Sequence, residues 1–204
     1  LVVTSLAIVV RSKDEVDQSY DISMRAAREM AAAGCDIVVL GGVPITIGGR
    51  QIVKFPNVLV FLREQTPTGG SIGTTADHLG LAVPDLRPVI AKLRAGGYRM
   101  ITRESVPADW AVVDDATRSP AGGRPIAFVL GPDDVKVELV QIADQAVPAA
   151  LQHVHFFGPQ REEMQAWYVK VFGARAGVPA PAARFLTATL PGVSLNFTAS
   201  PVPV

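Results

Sequence analysis

The chain has 204 residues, 49% of them hydrophobic, with nineteen Lys and Arg balanced by nineteen Asp and Glu to a formal net charge of zero. That length holds one generous domain or two small ones whose core needs no staples, and a neutral balance offers no electrostatic footprint for nucleic acid or an anionic membrane surface. A single cysteine, Cys35, excludes an intramolecular disulfide framework and a multi-cysteine zinc site and fits a reducing compartment, so the expected address is the cytoplasm.

The opening run "LVVTSLAIVV" has no basic flank and no cleavage site and falls short of the about twenty residues of a membrane span, so it reads as a buried strand. "SYDISMRAAREMAAAG" follows as a helix with Ile22, Ala26, Met30 and Ala33 on one face and Gly34 as its stop. Strands are expected in "CDIVVLGGVPITI", around "GGRQIVKF" and in "NVLVFLRE", giving β-α-β-β-β by Glu64. After the linker "QTPTGGSIGTTA" the order repeats: strand "DHLGLAV", helix "LRPVIAKLRAGG" stopped at Gly96-Gly97, then strands from "YRMITRE", "RPIAFVL" and "DVKVELVQ". The long polar loop "SVPADWAVVDDATRSPAGG" interrupts this copy. A third copy comprises "QHVHFFG", the helix "REEMQAWYVKVFG", "ARFLTATL" and "GVSLNFTAS", and reads as short of one strand or its final connection.

The expected fold class is therefore α+β, built from tandem βαβββ modules with curled mixed sheets. Its divisions are an atypical 1–70 segment, a complete 71–146 module and a shorter 147–204 module. Residue detail repeats as well: "FPNVLVFL" (55–62), "PDDVKVEL" (132–139) and "LPGVSLNF" (190–197) align without gaps, placing Phe61, Glu138 and Asn196 at one position. His78-x-x-Leu81 likewise matches His153-x-x-Phe156.

A histidine at a strand start is ordinarily a hydrogen-bonded core or surface residue, and a glutamate between apolar neighbours is ordinarily the solvent side of an edge strand. The shared register changes the reading, because a first-strand His and a last-strand Glu from facing modules converge on one concave face. Two imidazoles and a carboxylate are a donor set for a divalent transition ion with positions left open for substrate. His155, two residues from His153, is a reserve ligand or a pocket residue. In the helix "EEMQAWYVKVF", Met164, Trp167, Val171 and Phe172 form the expected sheet-facing stripe, and Trp110 in the long loop is the expected lid contact.

The segments "DHLGLAVPDL…KLRAGGYRM", "IAFVLGPDDVKVELVQ" and "HVHFFGPQREEMQAWYVKVFGA" resemble the vicinal oxygen chelate superfamily of glyoxalases, bleomycin-resistance proteins and extradiol dioxygenases. The resemblance covers residues 48 to 204. It implies a cup holding one divalent ion (Fe, Mn, Ni or Zn) on His78, Glu138 and His153, with Glu138 also the catalytic carboxylate and His155, Asn196 and Trp110 as pocket residues. Asn196 departs from the family by standing where a second Glu would complete a four-ligand set. The implied activity is a glyoxalase-type lyase or isomerase acting on a small oxygenated substrate; the alternatives are an extradiol-type dioxygenase and a metal-free drug-binding protein. No nucleic acid or membrane partner is expected. An odd count of modules suggests a homodimer, its cup shared across a two-fold axis or else closed within one chain. The first forty-five residues resemble instead a βαβ piece of the aspartate/glutamate racemase and arylmalonate decarboxylase group, without its cysteine pair.

Overall fold

In the computed structural model residues 42–61, 68–178 and 184–200 are described; the expected N-terminal strand and helix, and nearly all of the racemase-like stretch, lie outside them. Three antiparallel strands come first: β1 (Val43–Ile47), β2 (Arg50–Phe55) and β3 (Val58–Phe61). Gly48 and Gly49, with φ of 55° and 75°, make the tight turn between the first two, a backbone region glycine enters without a Cβ clash. These three form a small sheet of their own, in the order β1-β2-β3.

The other strands make one nine-stranded mixed sheet. β4 (Ala76–Val83) feeds α1 (Leu86–Ala95), which starts because the Asp85 carboxylate accepts a hydrogen bond from the Arg87 N–H. Leu86, Ile90 and Leu93 recur at helical spacing and are buried on the sheet. Gly96 donates to the Lys92 carbonyl, and Gly97, with φ of 77°, ends the helix.

A strand is expected from Tyr98 to Glu104, but the structure differs. Met100 makes only an isolated bridge to Val129, and the chain turns into the short helix α2 (Thr102–Ser105). The cause is Thr102: its buried hydroxyl accepts from the Phe128 N–H at 2.8 Å and donates to the Asp115 carbonyl at 2.6 Å, replacing a ladder bond with a side-chain bond. Two short strands from the long polar loop take the vacated place. β5 (Val112–Val113) and β6 (Ala116–Thr117) are joined through Asp114 and Asp115, whose φ values of 50° and 62° suit a two-residue hairpin. β7 (Ile126–Leu130) and β8 (Lys136–Gln141) complete this part.

The C-terminal part repeats the plan. β9 (Ala150–Gly158) leads to α3 (Arg161–Phe172), β10 (Arg175–Ala176), β11 (Phe185–Leu190) and β12 (Val193–Ala199), so it has four strands, one only two residues long. The helix stripe differs from expectation: Met164 and Tyr168 pack on the core, whereas Trp167, Val171 and Phe172 are exposed by half or more. Trp167 meets Tyr168 and Phe172 edge-on, and it is Tyr168 that reaches Phe156 and Phe197 of the sheet.

Sheet order is β10-β11-β12-β9-β4-β8-β7-β6-β5. β4 runs parallel to β8 and β9 parallel to β12, and the two halves join where β4 meets β9 antiparallel. Both walls of the cup therefore come from one chain. Leu81, Val83, Leu139, Val154, Leu195 and Phe197 fill the helix side of the sheet as one core. Asn57, at the β2–β3 turn, ties the small sheet to the large one: its amide donates to the Leu151 and Gly192 carbonyls at 2.7 and 2.9 Å and accepts from the Leu151 N–H at 2.9 Å. Among the described residues no helix is long and apolar enough to cross a membrane.

Candidate metal centre

Strand alternation places the donors. Leu79, Leu81 and Val83 belong to the helix-side core, leaving His78, Gly80 and Ala82 for the concave face of β4. On β9, Val154 and Phe156 go to the core and His153 and His155 to the concave face. Register then brings the strands together: His78 pairs with His155 and Gly80 with His153 across the central seam, and Glu138 on β8 lies beside Gly80.

The result is a cluster of four donors, His78, Glu138, His153 and His155, each offering one atom within 4.8 Å of the others. Glu138 Oε2 lies 3.0 Å from His78 Nε2 and 3.2 Å from His153 Nε2. Side-chain exposure is only 4% for both of those histidines and 12% for the glutamate. The contact from His153 lacks the direction of a hydrogen bond, so His153 Nε2 is a buried nitrogen without a hydrogen-bond partner. Such a group carries a desolvation cost that a bound cation would remove.

The distal ring nitrogens are all engaged. His78 Nδ1 lies 2.6 Å from Asp77 Oδ1, His153 Nδ1 lies 2.5 Å from Gln152 Oε1, and His155 Nε2 lies 2.8 Å from Thr198 Oγ1. Asp77 also binds Lys136 Nζ at 2.9 Å. Gly80 is required by geometry, since a Cβ there would sit 2.1 Å from two atoms of the His153 ring. Phe128, Phe157 and Phe185 wall the imidazoles, with centroids 5.6 Å from His78, 4.9 Å from His155 and 5.2 Å from His155 respectively.

Charge is concentrated here. Burial opposes ionisation of Glu138, but the imidazoles of His153 and His78 outweigh it and hold the carboxyl down at about 2. Burial likewise opposes the Asp77 anion, and hydrogen bonds from His78 and Lys136 overcome it, keeping the carboxyl well below its usual range. For His78, burial is outweighed by Asp77 and Glu138, which raise it. His155 moves the other way: burial, then repulsion from His78 and His153, pushes it down to about 3.

The structure thus brings His78, Glu138, His153 and His155 together. Asn196 occupies on β12 the register position that Glu138 occupies on β8, is buried, and accepts a hydrogen bond from Ser194 at 3.1 Å through Oδ1. Trp110 lies in the loop between α2 and β5, its ring 5.4 Å from the Arg184 guanidinium carbon. Sequence reasoning missed Asp77, Gln152 and Gly80 as parts of the site. Their signal was present in "DHLG" and "LQHV", where a hydrogen-bond acceptor precedes each histidine.

The paired strand-helix-strand plan of the nine-stranded sheet frames a buried three-histidine, one-carboxylate cluster. No family model and no curated protein matches the sequence. Among solved structures, glyoxalase I from Zea mays is similar with a TM-score of 0.54 and 19% identity over 74% of this chain and 54% of that one. A glutamate-to-glutamine mutant of that enzyme gives a TM-score of 0.56 and 16% identity over 98% of this chain and 69% of that one. A methylmalonyl-CoA epimerase from Mycobacterium tuberculosis is matched at a TM-score of 0.39 with 16% identity, over 69% and 95% of the two chains. The glyoxalase I likenesses establish the fold, and the chain spans about half the length, 54%, of the first of those structures. The racemase resemblance of the first forty-five residues gains no support.

Proposed function

We propose that the chain is a divalent-metal-dependent enzyme of glyoxalase type, a lyase or isomerase acting on a small oxygenated substrate. The observation that carries this reading is the buried His153 Nε2, without a hydrogen-bond partner and lying, with His78 Nε2, close to the same Glu138 oxygen. Three imidazoles and one carboxylate fit Fe, Mn, Ni or Zn, and His78, Glu138, His153 and His155 are the residues that would hold the ion. When bound, it would supply Lewis-acid polarisation of a substrate carbonyl or enediolate oxygen.

The chain's own groups divide the remaining work. Glu138, held ionised, is the carboxylate of the donor cluster. Asn196 accepts from Ser194 through Oδ1, leaving its Nδ2 to donate to a substrate oxygen, but an amide cannot take a proton there as a second glutamate would. Phe128, Phe157 and Phe185 exclude water from the rings they contact. Small-molecule turnover without nucleic acid or membrane belongs to the same proposal. A homodimer would have no part in completing this cup, whose donors come from one chain.

A single carboxylate among imidazoles also suits an extradiol-type dioxygenase, which is the second reading. Purified wild-type protein should hold stoichiometric metal and His78→Ala should not. If neither holds metal and both unfold at the same temperature, the enzyme reading fails and the metal-free binding protein takes its place. Oxygen uptake by iron-loaded protein with a catechol would move the assignment to the dioxygenase.

A further inference from the structure

Neighbouring residues of a regular strand point to opposite faces, so a side chain cannot ordinarily hydrogen-bond the ring of the residue after it. This molecule does so twice. The β4–β9 register slips between Ala76 and His78, passing over Asp77, and again between Gly80 and Leu81, whose partners are His153 and Leu151, passing over Gln152. A bulge re-aims the side chain of its extra residue. Each extra residue here sits immediately before a histidine and meets its Nδ1, Asp77 at 2.6 Å and Gln152 at 2.5 Å. The two bulges also occupy equivalent places, since His78 lies opposite Lys136 on β8 as His153 lies opposite Ser194 on β12.

Resting on the metal reading above, we propose that Asp77 and Gln152 are a matched pair of positioning residues, set by the two bulges. They hold His78 and His153 as Nδ1–H tautomers with both Nε2 lone pairs directed at one ion. An ionised carboxylate can only accept, so His78 Nδ1 must donate to Asp77, and the Gln152 carbonyl oxygen imposes the same on His153. His155 lacks this device. Its partner, the Thr198 hydroxyl, donates or accepts equally well and leaves that tautomer free.

The test removes each acceptor and reads the rings directly. Asp77→Leu would strand buried Lys136, so it is combined with Lys136→Met; Gln152→Leu needs no companion, and Asp77→Asn and Gln152→Glu retain an acceptor oxygen. Long-range ¹H–¹⁵N spectra are recorded on metal-free protein at a pH that deprotonates both rings, and again with zinc; zinc affinity is measured by chelator competition. The leucine variants should lose the Nδ1–H signature at the histidine concerned and bind zinc about 10- to 100-fold more weakly, while the asparagine and glutamate variants keep both. Unchanged tautomers in the leucine variants overturn the proposal, as does a lost tautomer with unchanged affinity. Wild-type protein that binds no zinc overturns the proposed function instead, and the metal-free spectra still decide whether the two acceptors set the tautomers.

Discussion

Along β4 and β8 the cup presents Asp77, His78, Lys136 and Glu138, whereas β9 and β12 present Gln152, His153, Ser194 and Asn196 at the equivalent register positions. The backbone plan is the same in both halves, down to a bulge before each first histidine. Charge is not. One half carries two anions and a cation, all buried or nearly so, and the other carries an amide, a hydroxyl and another amide. The exchange of Gly80 for His155 at the next equivalent position is the remaining difference: one half makes room for a ring, and the other fills its room with one. A repeated scaffold thus fixes where side chains converge, while substitution within it decides which half carries the charge.

The largest effect should come from exchanging the carboxylate and the amide. Glu138→Gln removes the only carboxylate in the donor cluster and should weaken zinc or nickel binding by more than the roughly 10- to 100-fold of an outer contact. Asn196→Ala should leave metal content intact and raise KM, because its amide lies outside that cluster. Isothermal titration and steady-state kinetics check the pair; comparable losses of metal in both variants would erase the distinction between the halves.

Gly80→Ala probes the close approach at the seam. The new methyl would lie 2.1 Å from His153 ring atoms, so the ring must leave the cup or the strands must part. We expect a loss of about 1–3 kcal/mol of stability, the usual range for overpacking, together with loss of metal, seen by denaturant titration and elemental analysis. His155→Gly, which installs the small residue in the other half too, should cost metal affinity without that strain.

Much of this site is legible in the sequence. His78, His153 and Glu138 could be placed because alternation fixes a face and the "PDDVKVEL"/"LPGVSLNF" repeat fixes a register. The bulges could not, since they exist only where β4 meets β9, and no local pattern reports which strands pair. For the same reason Tyr98–Glu104 read as a strand: its period-2 character is real, but buried Thr102 diverts the chain into α2 through Phe128 and Asp115, thirteen or more positions away. Asp114-Asp115 was a readable hairpin signal inside a loop classed by its polarity. On α3 the helical period was right and Met164 packs on the core as expected, but Tyr168, which meets Phe156 and Phe197, takes the inner place expected for Trp167, Val171 and Phe172.

A smaller effect concerns what each half rests on. Asn57 clamps the three-stranded sheet to the amide half only, through Leu151 and Gly192. Removing the side chain in Asn57→Ala leaves the Leu151 N–H and carbonyl to find other partners, for an expected loss of about 1–3 kcal/mol. Hydrogen exchange should rise along β9 and β12 and stay unchanged along β7. Equal loosening of both halves would mean that the small sheet supports the whole cup and not the amide half alone.

The response to pH separates the two histidines that face each other across the seam. His155 titrates near 3 in the folded protein against 6.5 in an unfolded chain, so between those values the unfolded state binds the extra proton and stability falls on acidification. His78 is raised above 6.5, so it is the folded state that holds the extra proton, and its contribution is full below 6.5 and fades as pH rises through the folded value. Metal-free protein should accordingly show a maximum near neutrality, with an acid limb owed to His155 between 6.5 and 4.5 and, below 4.5, to Glu138 and Asp77 as well, whose carboxyls are held down in the fold, and an alkaline limb owed to His78. Urea midpoints across this range should lose the part of the acid limb between 6.5 and 4.5 in His155→Gln and the alkaline limb in His78→Gln. Zinc should flatten the alkaline limb of the wild type, because the ion needs the proton on His78 Nε2 displaced and releases it on binding. An alkaline limb that survives His78→Gln would place the retained proton elsewhere in the cluster and assign the charged half of the cup a different proton holder.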